Sequence, residues 1–556
     1  MSRDKDYDVI VIGAGHNGLV CANYLAKAGC KVIVLERRAV VGGASATEEM
    51  FGGYKIDVGS AVHTLIHETG IIDDLKLEKF GLKYLQLDPF AFAPFPDGTY
   101  LRFYRDLDKT CEEIEKVSPK DAEAYKKFVE DWTELNRILT ATFTSKPSAP
   151  SMSYKALSKD IVSLLKMTAR RSLQDRIHQL LMDYGKLLSM TFESEYVKAP
   201  LAFLAAQAGV SPSTPGTANF AGWHALSHST GVTRPQGGSG KLSEALQESL
   251  INMGGEVRLD TEVTGILIRN DRAIGVETSY GEKLSSDIVI SSIAPVKTLL
   301  ELLPSEALND NLRRKISSIK ISPISGVYIR GIATNLPEYK AVGGSNNKDH
   351  YRGMQLLCPT LSDLEKGFQE AAIGNKPSKP AVYLLTPSVV DPSLAPEKHL
   401  VYIWAQPYPL QLAGGQSWDD ATQDVVADIF NAASEYIEGL EDIITKYRVI
   451  RTPPQLAGDL QLPYSNIMHG DMTIDQLFFM RPIPELSGYR TPIKGLYLTG
   501  AGTHPGGGVQ GAAGKNTAEV ILADMTKAKR WIKPALVVAG SSIAFAVLRR
   551  SARASN

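Results

Sequence analysis

Between Tyr7 and Ile12 the chain reads Tyr-Asp-Val-Ile-Val-Ile, a short β-branched run with its polar residue at the entry. Such a run suits a parallel strand buried on both faces. A glycine-punctuated turn follows, and Leu19 to Ala28 repeats apolar positions at helical spacing until Gly29 closes it. Lys31-Val-Ile-Val-Leu35 is a second buried strand and ends on Glu36. Together these pieces predict a compact βαβ unit.

Further along, Lys109 to Ser145 is read as helical, with Tyr125, Phe128, Val129, Trp132 and Leu135 on one stripe. Residues 146–153, with Pro147 and Pro150 among serines, predict a surface loop. Leu157 to Phe192 is again helical, its Ile161, Leu164, Leu165 and Met167 set among Lys166, Arg170 and Arg171. An amphipathic surface helix is the plain reading there; a substrate-domain or membrane-facing helix is the alternative. Strands resume at Glu256–Val263, which alternates by type, and continue at Ile266–Ile268, Ala273–Thr278 and Asp287–Ser291. That series suits a β-meander set in a nucleotide-binding domain. Residues 300–480 mix helices and strands around turns such as Pro387 and Pro392. The last strand is Gly495-Leu-Tyr-Leu-Thr499, followed by a glycine-rich turn and a helix from about Val509 to Lys527. No long repeat interrupts the series. Both chain ends therefore contribute to one domain.

Composition narrows this modestly. A chain of 556 residues exceeds the size of a single core, so at least two domains are expected. With 44% apolar and 22% charged residues it reads as an ordinary globular enzyme. Sixty basic residues against 61 acidic ones leave a net charge of −1, which gives no basic surface for nucleic acid. Cys21, Cys30, Cys111 and Cys358 are scattered, with no Cys-x-x-Cys pair. That excludes a dithiol redox centre, a zinc site or a disulfide framework, and suits a reducing compartment. The opening Met-Ser-Arg-Asp-Lys-Asp-Tyr-Asp has no apolar leader, and its acids do not suit a transit peptide, so a cytoplasmic location is expected. Near the other end, Pro534–Leu548 is a 15-residue uncharged run with basic flanks. It is shorter than the roughly 20 residues a span requires. Peripheral contact with an anionic membrane and packing as a terminal helix, on the protein or a second copy of the chain, are both open readings. Oligomeric state is open as well.

The candidate chemistry begins at Gly13-Ala14-Gly15-His16-Asn17-Gly18. The loop follows a strand and opens a helix, and Glu36 stands 18 residues past its third glycine. In that context Gly13 permits the turn, Gly15 lets backbone approach a pyrophosphate and Gly18 lets helix pack on strand. The helix N-terminus then favours phosphate, and Glu36 accepts from ribose hydroxyls while repelling a 2′-phosphate. A dinucleotide follows, with a nicotinamide or a flavin still open. Val41-Gly42-Gly43-Ala44-Ser45-Ala46 and the distant Tyr497–Gly511 stretch give close backbone approach for a longer cofactor, which turns the reading to FAD. A helix starting at Val509–Gln510 would face a flavin's pyrimidine edge.

These residues, with Asp57-Val-Gly-Ser60 and Gly500-Ala-Gly-Thr-His-Pro-Gly506, resemble the carotenoid (phytoene) desaturase family of flavoproteins. Met468-His-Gly-Asp-Met472 and Asp475-Gln-Leu-Phe-Phe479 are similar to a branch named for a pyridine nucleotide-disulfide oxidoreductase domain, although this chain has no redox cysteine pair. The resemblance implies an α/β fold: a glutathione-reductase-like FAD-binding Rossmann domain with an inserted mixed α+β substrate domain. The expected division is 1–108, 234–300 and 486–530 for the FAD-binding parts, 109–233 and 301–485 for the substrate parts, and 531–556 as a tail. It further implies that Gly13, Gly15, Gly18, Glu36, Arg37, Gly43, Val263, Gly502 and Val509 line FAD, with Ala14, Asn17, Ala44, Gly59, Ser60 and Gly508 beside them. Arg234-Pro-Gln-Gly-Gly-Ser-Gly-Lys241 resembles the family's entry into the second FAD-binding part. Where many related flavoproteins carry Gly-Asp at the ribityl chain, this sequence reads Gly500-Ala501.

By the same resemblance His63 and His504 fall near the flavin as candidate catalytic residues, with structural histidines as the bland alternative; His469 is treated alike. Trp223, His224 and His228 cluster, but no third ligand follows at metal-site spacing, so no metal is expected. The implied activity is FAD-dependent oxidation of a hydrophobic polyene- or isoprenoid-like small molecule, by desaturation, isomerisation or oxygenation. A flavin amine oxidase and a non-catalytic binding protein on the same scaffold are the alternatives. An aromatic cage would mark the former, and a failure to take up FAD the latter.

Overall fold

The computed structural model describes residues 5–145, 173–343 and 348–527. The expectations for 146–153, 157–172 and 534–548 fall outside them. Two seven-stranded sheets organise the chain.

The first sheet is built around β1 (Tyr7–Ile12), which pairs in parallel with β2 (Val32–Leu35) on one side and with Lys283–Ser291 on the other. From Val9 to Ile12 β1 is apolar because both faces are covered there, while Asp8 at its entry is exposed. Val9 and Val11 pack under α1 (His16–Lys27) with Leu19, Leu25 and Leu246. Ile10 and Ile12 pack on the opposite face with Val289, Leu299 and Ile316. Glu256–Arg258 extends the parallel side beyond β2. The strand Lys283–Ser291 serves two sets of partners. Its first half pairs antiparallel with Arg272–Thr278, and its second half runs parallel to Leu496–Leu498. Arg272–Thr278 pairs in turn with Val263–Arg269.

The second sheet has the order Ile444–Arg451, Ile324–Ala333, His399–Pro409, Ala381–Leu385, Met354–Leu357, Ala91–Pro94 and Tyr100–Phe103. Its pairings are antiparallel except between Met354–Leu357 and Ala91–Pro94. Helices Pro119–Phe143, Tyr184–Thr191 and Glu195–Ala206 bury Tyr125, Trp132, Leu188 and Phe203 against one face of it.

Several elements depart from the sequence reading. The helix expected over 109–145 is two, Leu107–Glu115 and Pro119–Phe143, because Pro119 takes the first helical position and Ser118 accepts from the N–H of Asp121. In the part of 157–192 that is described, Leu173–Leu181 and Tyr184–Thr191 are separated at Asp183, whose carboxylate caps the second helix. The strand expected over 256–263 breaks at Asp260, which sits at φ +50° and turns the chain so that Thr261 N–H donates to Glu36 O. The final helix begins at 512, not 509: Gly508, Val509 and Gly511 all have positive φ and cannot belong to a right-handed helix. Among the described residues no helix is long and apolar enough to cross a membrane.

Candidate functional site

The carboxyl ends of β1 and β2 open onto a groove lined by Gly13, Gly15, Glu36, Arg37, Gly43 and Val263. This is where a parallel sheet of this type places a ligand. α1 starts directly after Gly15 with no side-chain cap, so its first N–H groups are left for whatever the groove holds. A methyl group on Gly15 would meet nothing closer than Ser292 Oγ at 4.0 Å and would occupy the groove instead. On Gly18 it would lie 2.4 Å from the carbonyl oxygen of Gly13, so Gly18 serves the packing of α1 on β1.

Glu36 is 7% exposed and already works for the loop. One carboxylate oxygen accepts from Ala14 N–H at 2.8 Å and the other from Arg38 N–H at 3.0 Å. Each oxygen keeps lone-pair capacity for a ribose hydroxyl. The second glycine segment abuts the first through Gly42 N–H to Ala14 O at 2.9 Å. Arg37 donates to the carbonyls of Gly458 and Asp459, which ties the groove's outer wall to residues more than 400 positions away. Buried Asn17 Oδ1 has no partner and is available to a ligand hydroxyl. His16, to which the sequence reading gave no role of its own, lines the groove, and so does His469, which it weighed beside His63 and His504. Burial pushes each imidazole down to about 4, so both are neutral at physiological pH. An uncapped helix, glycines open to the groove, a ribose acid and an orphaned acceptor together fit an unphosphorylated dinucleotide, which Gly13, Gly15, Asn17, Glu36, Gly43 and Val263 would hold.

A second cavity of about 380 Å³ joins the groove, sharing His16, Ala44, Leu460, Ile467 and Ala501 with it. Gly59, Ser60, Gly508 and Val509 line this one, beside Leu204, Phe220, Trp223, Tyr328, Met354 and Trp404. Val509 holds φ +51°, a left-handed conformation that costs a β-branched residue energy and is kept by the glycines around it. Tyr328 and Trp404 stack on one another at 17° with centroids 5.6 Å apart. Among the described residues the charged side chain lining this cavity is Arg330, which donates to Ile403 O at 3.0 Å and lies over the Tyr402 ring. Its Nε has no partner, and burial lowers its pKa.

Two motifs of the sequence prove to be one structure. Asp57 and Arg234, both fully buried, form an ion pair at 3.1 Å, and Asp57 also accepts from Ser239 N–H and Thr47 Oγ1. The backbone behind Gly59 and Ser60 is thereby anchored to the loop that opens Lys241–Asn252.

His63 and His504, expected as catalytic residues, line neither cavity. His63 is fully buried and bonds Ser239 Oγ at 2.7 Å and Tyr84 Oη at 3.1 Å, stapling three segments. His504 donates to Thr142 O at 2.8 Å. Their nearness to the glycine motifs is along the chain, and their rings point elsewhere. Gly502 also lies off the cavity: a methyl group there would meet Pro295 Cδ at 2.3 Å, so close packing requires it. Arg481 passed unnoticed in the sequence. It is 1% exposed and donates to the carbonyls of Met468 and Ala501 at 2.6 and 2.8 Å, fastening the loop at His469 to the glycine turn. An Arg-Pro pair carries no local signal for that.

A family model described as flavin containing amine oxidoreductase matches residues 18–354. The chain is 36% identical to the pyridine nucleotide-disulfide oxidoreductase domain-containing protein 2 of Mus musculus, covering 94% of each chain. It is 27% identical to a limonene dehydrogenase polypeptide of Castellaniella defragrans, over 97% of this chain and 98% of that one. A lycopene-forming phytoene desaturase of Pseudescherichia vulneris is 25% identical, over 93% and 99%. Among solved structures, cyclohexylamine oxidase of Brevibacterium oxydans superposes with a TM-score of 0.55 at 16% identity, over 94% of this chain and all of that one.

Proposed function

Because the chain belongs to the flavin containing amine oxidoreductase family, with FAD as its cofactor, we propose that this oxidoreductase desaturates a hydrophobic, polyene- or isoprenoid-like molecule. The observation that carries the reading is the cavity of about 380 Å³ that opens directly off the dinucleotide groove and is walled by leucine, alanine, methionine and aromatic side chains. Bound FAD supplies the hydride acceptor. The chain supplies the rest: the groove orients the cofactor, the apolar walls exclude water, and burial holds an apolar substrate against the shared wall at His16 and Ala44. The names of two relatives, a limonene dehydrogenase and a phytoene desaturase, support the same substrate class.

Oxidation of an amine is the second reading, since the family and the cyclohexylamine oxidase likeness both raise it. The cavity speaks against it. Tyr328 and Trp404 stack on each other and do not face across a gap, and buried Arg330 repels an ammonium group. Mixing the FAD-loaded protein anaerobically with a panel of polyenes, monoterpenes and primary amines separates the two. Bleaching of the flavin by an apolar member, with the amines inert, is expected. Bleaching by amines alone overturns the proposal.

A further inference from the structure

Tyr125 lies in the core on the helix Pro119–Phe143, and two histidines of the 223–229 segment reach its hydroxyl. His224 and His228 each do so through Nε2, at 2.7 Å. The other nitrogen of His228, Nδ1, is 3.2 Å from the carbonyl oxygen of Arg105. A carbonyl can only accept, so the proton of a neutral His228 sits on Nδ1 and its Nε2 is an acceptor. Tyr125 has one proton to give, and His228 takes it. The phenol oxygen must then accept from His224, which fixes His224 with its proton on Nε2 and a lone pair on Nδ1. That ring lines the apolar cavity, and among the described residues no hydrogen bond reaches its Nδ1. The edges of Phe90 and Phe103 hold it, with ring centroids 5.3 and 5.5 Å away.

The charged and titratable groups around the relay are few. Cys111 lies near Tyr125, and Asp88 and Asp106 lie near His228. Burial is the first cause lowering both imidazoles, and His224 is driven well below its ordinary value. Both rings are thus neutral at pH 7, as the bond polarity requires. The pair does not converge on a metal, because the hydroxyl occupies both Nε2 atoms.

We propose that His224 is the base of the dehydrogenation. As a hydride leaves one substrate carbon for the flavin, Nδ1 of His224 takes the proton from the neighbouring carbon. The electron pair of that second C–H bond becomes the new C=C bond. His224 passes its Nε2 proton to Tyr125, whose own proton goes to His228. The positive charge therefore arrives on His228, which is part-exposed and returns a proton to solvent. His224 is the catalytic residue here; Tyr125 and His228 position and drain it. The assignment rests on the desaturation proposed above.

Two measurements test it on the full-length, FAD-loaded protein. Long-range proton–nitrogen NMR with nitrogen-15 histidine reads the tautomer directly, His224→Gln assigning the resonance. Nε2–H with a bare Nδ1 is expected, and Tyr125→Phe should release that bias; a proton on Nδ1 overturns the relay and the base together. In single-turnover flavin bleaching with any apolar substrate found active, His224→Gln should retain its bound FAD and melting temperature but slow about 100-fold or more. Bleaching at the parent rate overturns the catalytic role. If no apolar compound bleaches the parent protein, the functional reading above fails and the base role falls with it, whereas a proton on Nδ1 overturns the relay whether or not a substrate is found.

Discussion

Glu36 shows how one side chain does two jobs. Its oxygens close the glycine loop by accepting from Ala14 and Arg38 while facing the groove. Glu36→Ala leaves both N–H groups without that acceptor and removes the ribose contact. Hydrogen bonds to a charged group are worth roughly 1.5–3 kcal/mol each, so the FAD dissociation constant should rise about ten- to a hundred-fold, as read by flavin fluorescence titration. An unchanged constant would mean the carboxylate serves the loop alone. At this scale the sequence is informative where the partners are near along the chain. Gly13, Gly15 and Glu36 lie within 24 positions of one another and carry a spacing signal. Arg330 and His224 do not, since their places on the cavity wall come from strands and helices that only the fold brings together. His63 and His504 show the converse error, where closeness to a motif stood in for direction of the ring.

The βαβ unit is the element most legible in advance, because a twice-covered strand and a glycine turn are local patterns. Boundaries suffered where one residue overrides a periodic stripe, as Pro119 does within 109–145 and Asp260 within 256–263. Two glycines of this unit make opposite demands. Gly15→Ala projects a methyl group into open groove, so the apoprotein should melt as the parent does while flavin uptake falls at least tenfold. Gly18→Ala drives a methyl group onto the Gly13 carbonyl, so α1 must shift; the melting temperature should drop together with flavin uptake. Differential scanning fluorimetry beside flavin absorbance separates the pair. Equal melting of the two variants would refute the distinction.

Across the whole molecule, buried neutral histidines set an acid limit. Burial lowers His16, His469 and His504 to about 4 in the folded chain, against an ordinary value near 6.5. Between those values the unfolded chain binds protons that the folded chain refuses, so stability is fully present above about 6.5 and is lost as pH falls toward 4. A tenfold loss of proton affinity corresponds to about 1.4 kcal/mol, so each ring lowered from 6.5 to about 4 costs roughly 3.5 kcal/mol, and the three together on the order of 10 kcal/mol by pH 4. The melting temperature at saturating FAD should fall steadily from pH 7 to pH 5, and a flat profile would show that these rings are protonated in the fold.

The strand Leu496–Leu498 completes the first sheet on the flank of Lys283–Ser291, and about 205 positions separate the two in the chain. During synthesis at roughly 5–20 residues per second, that edge waits about 10–40 s for its partner. The glycine turn that closes the cofactor site emerges later still. Cofactor capture therefore waits for this late segment, and a nascent chain stalled before residue 496 presents an unpaired β edge to chaperones and to its neighbours on the polysome.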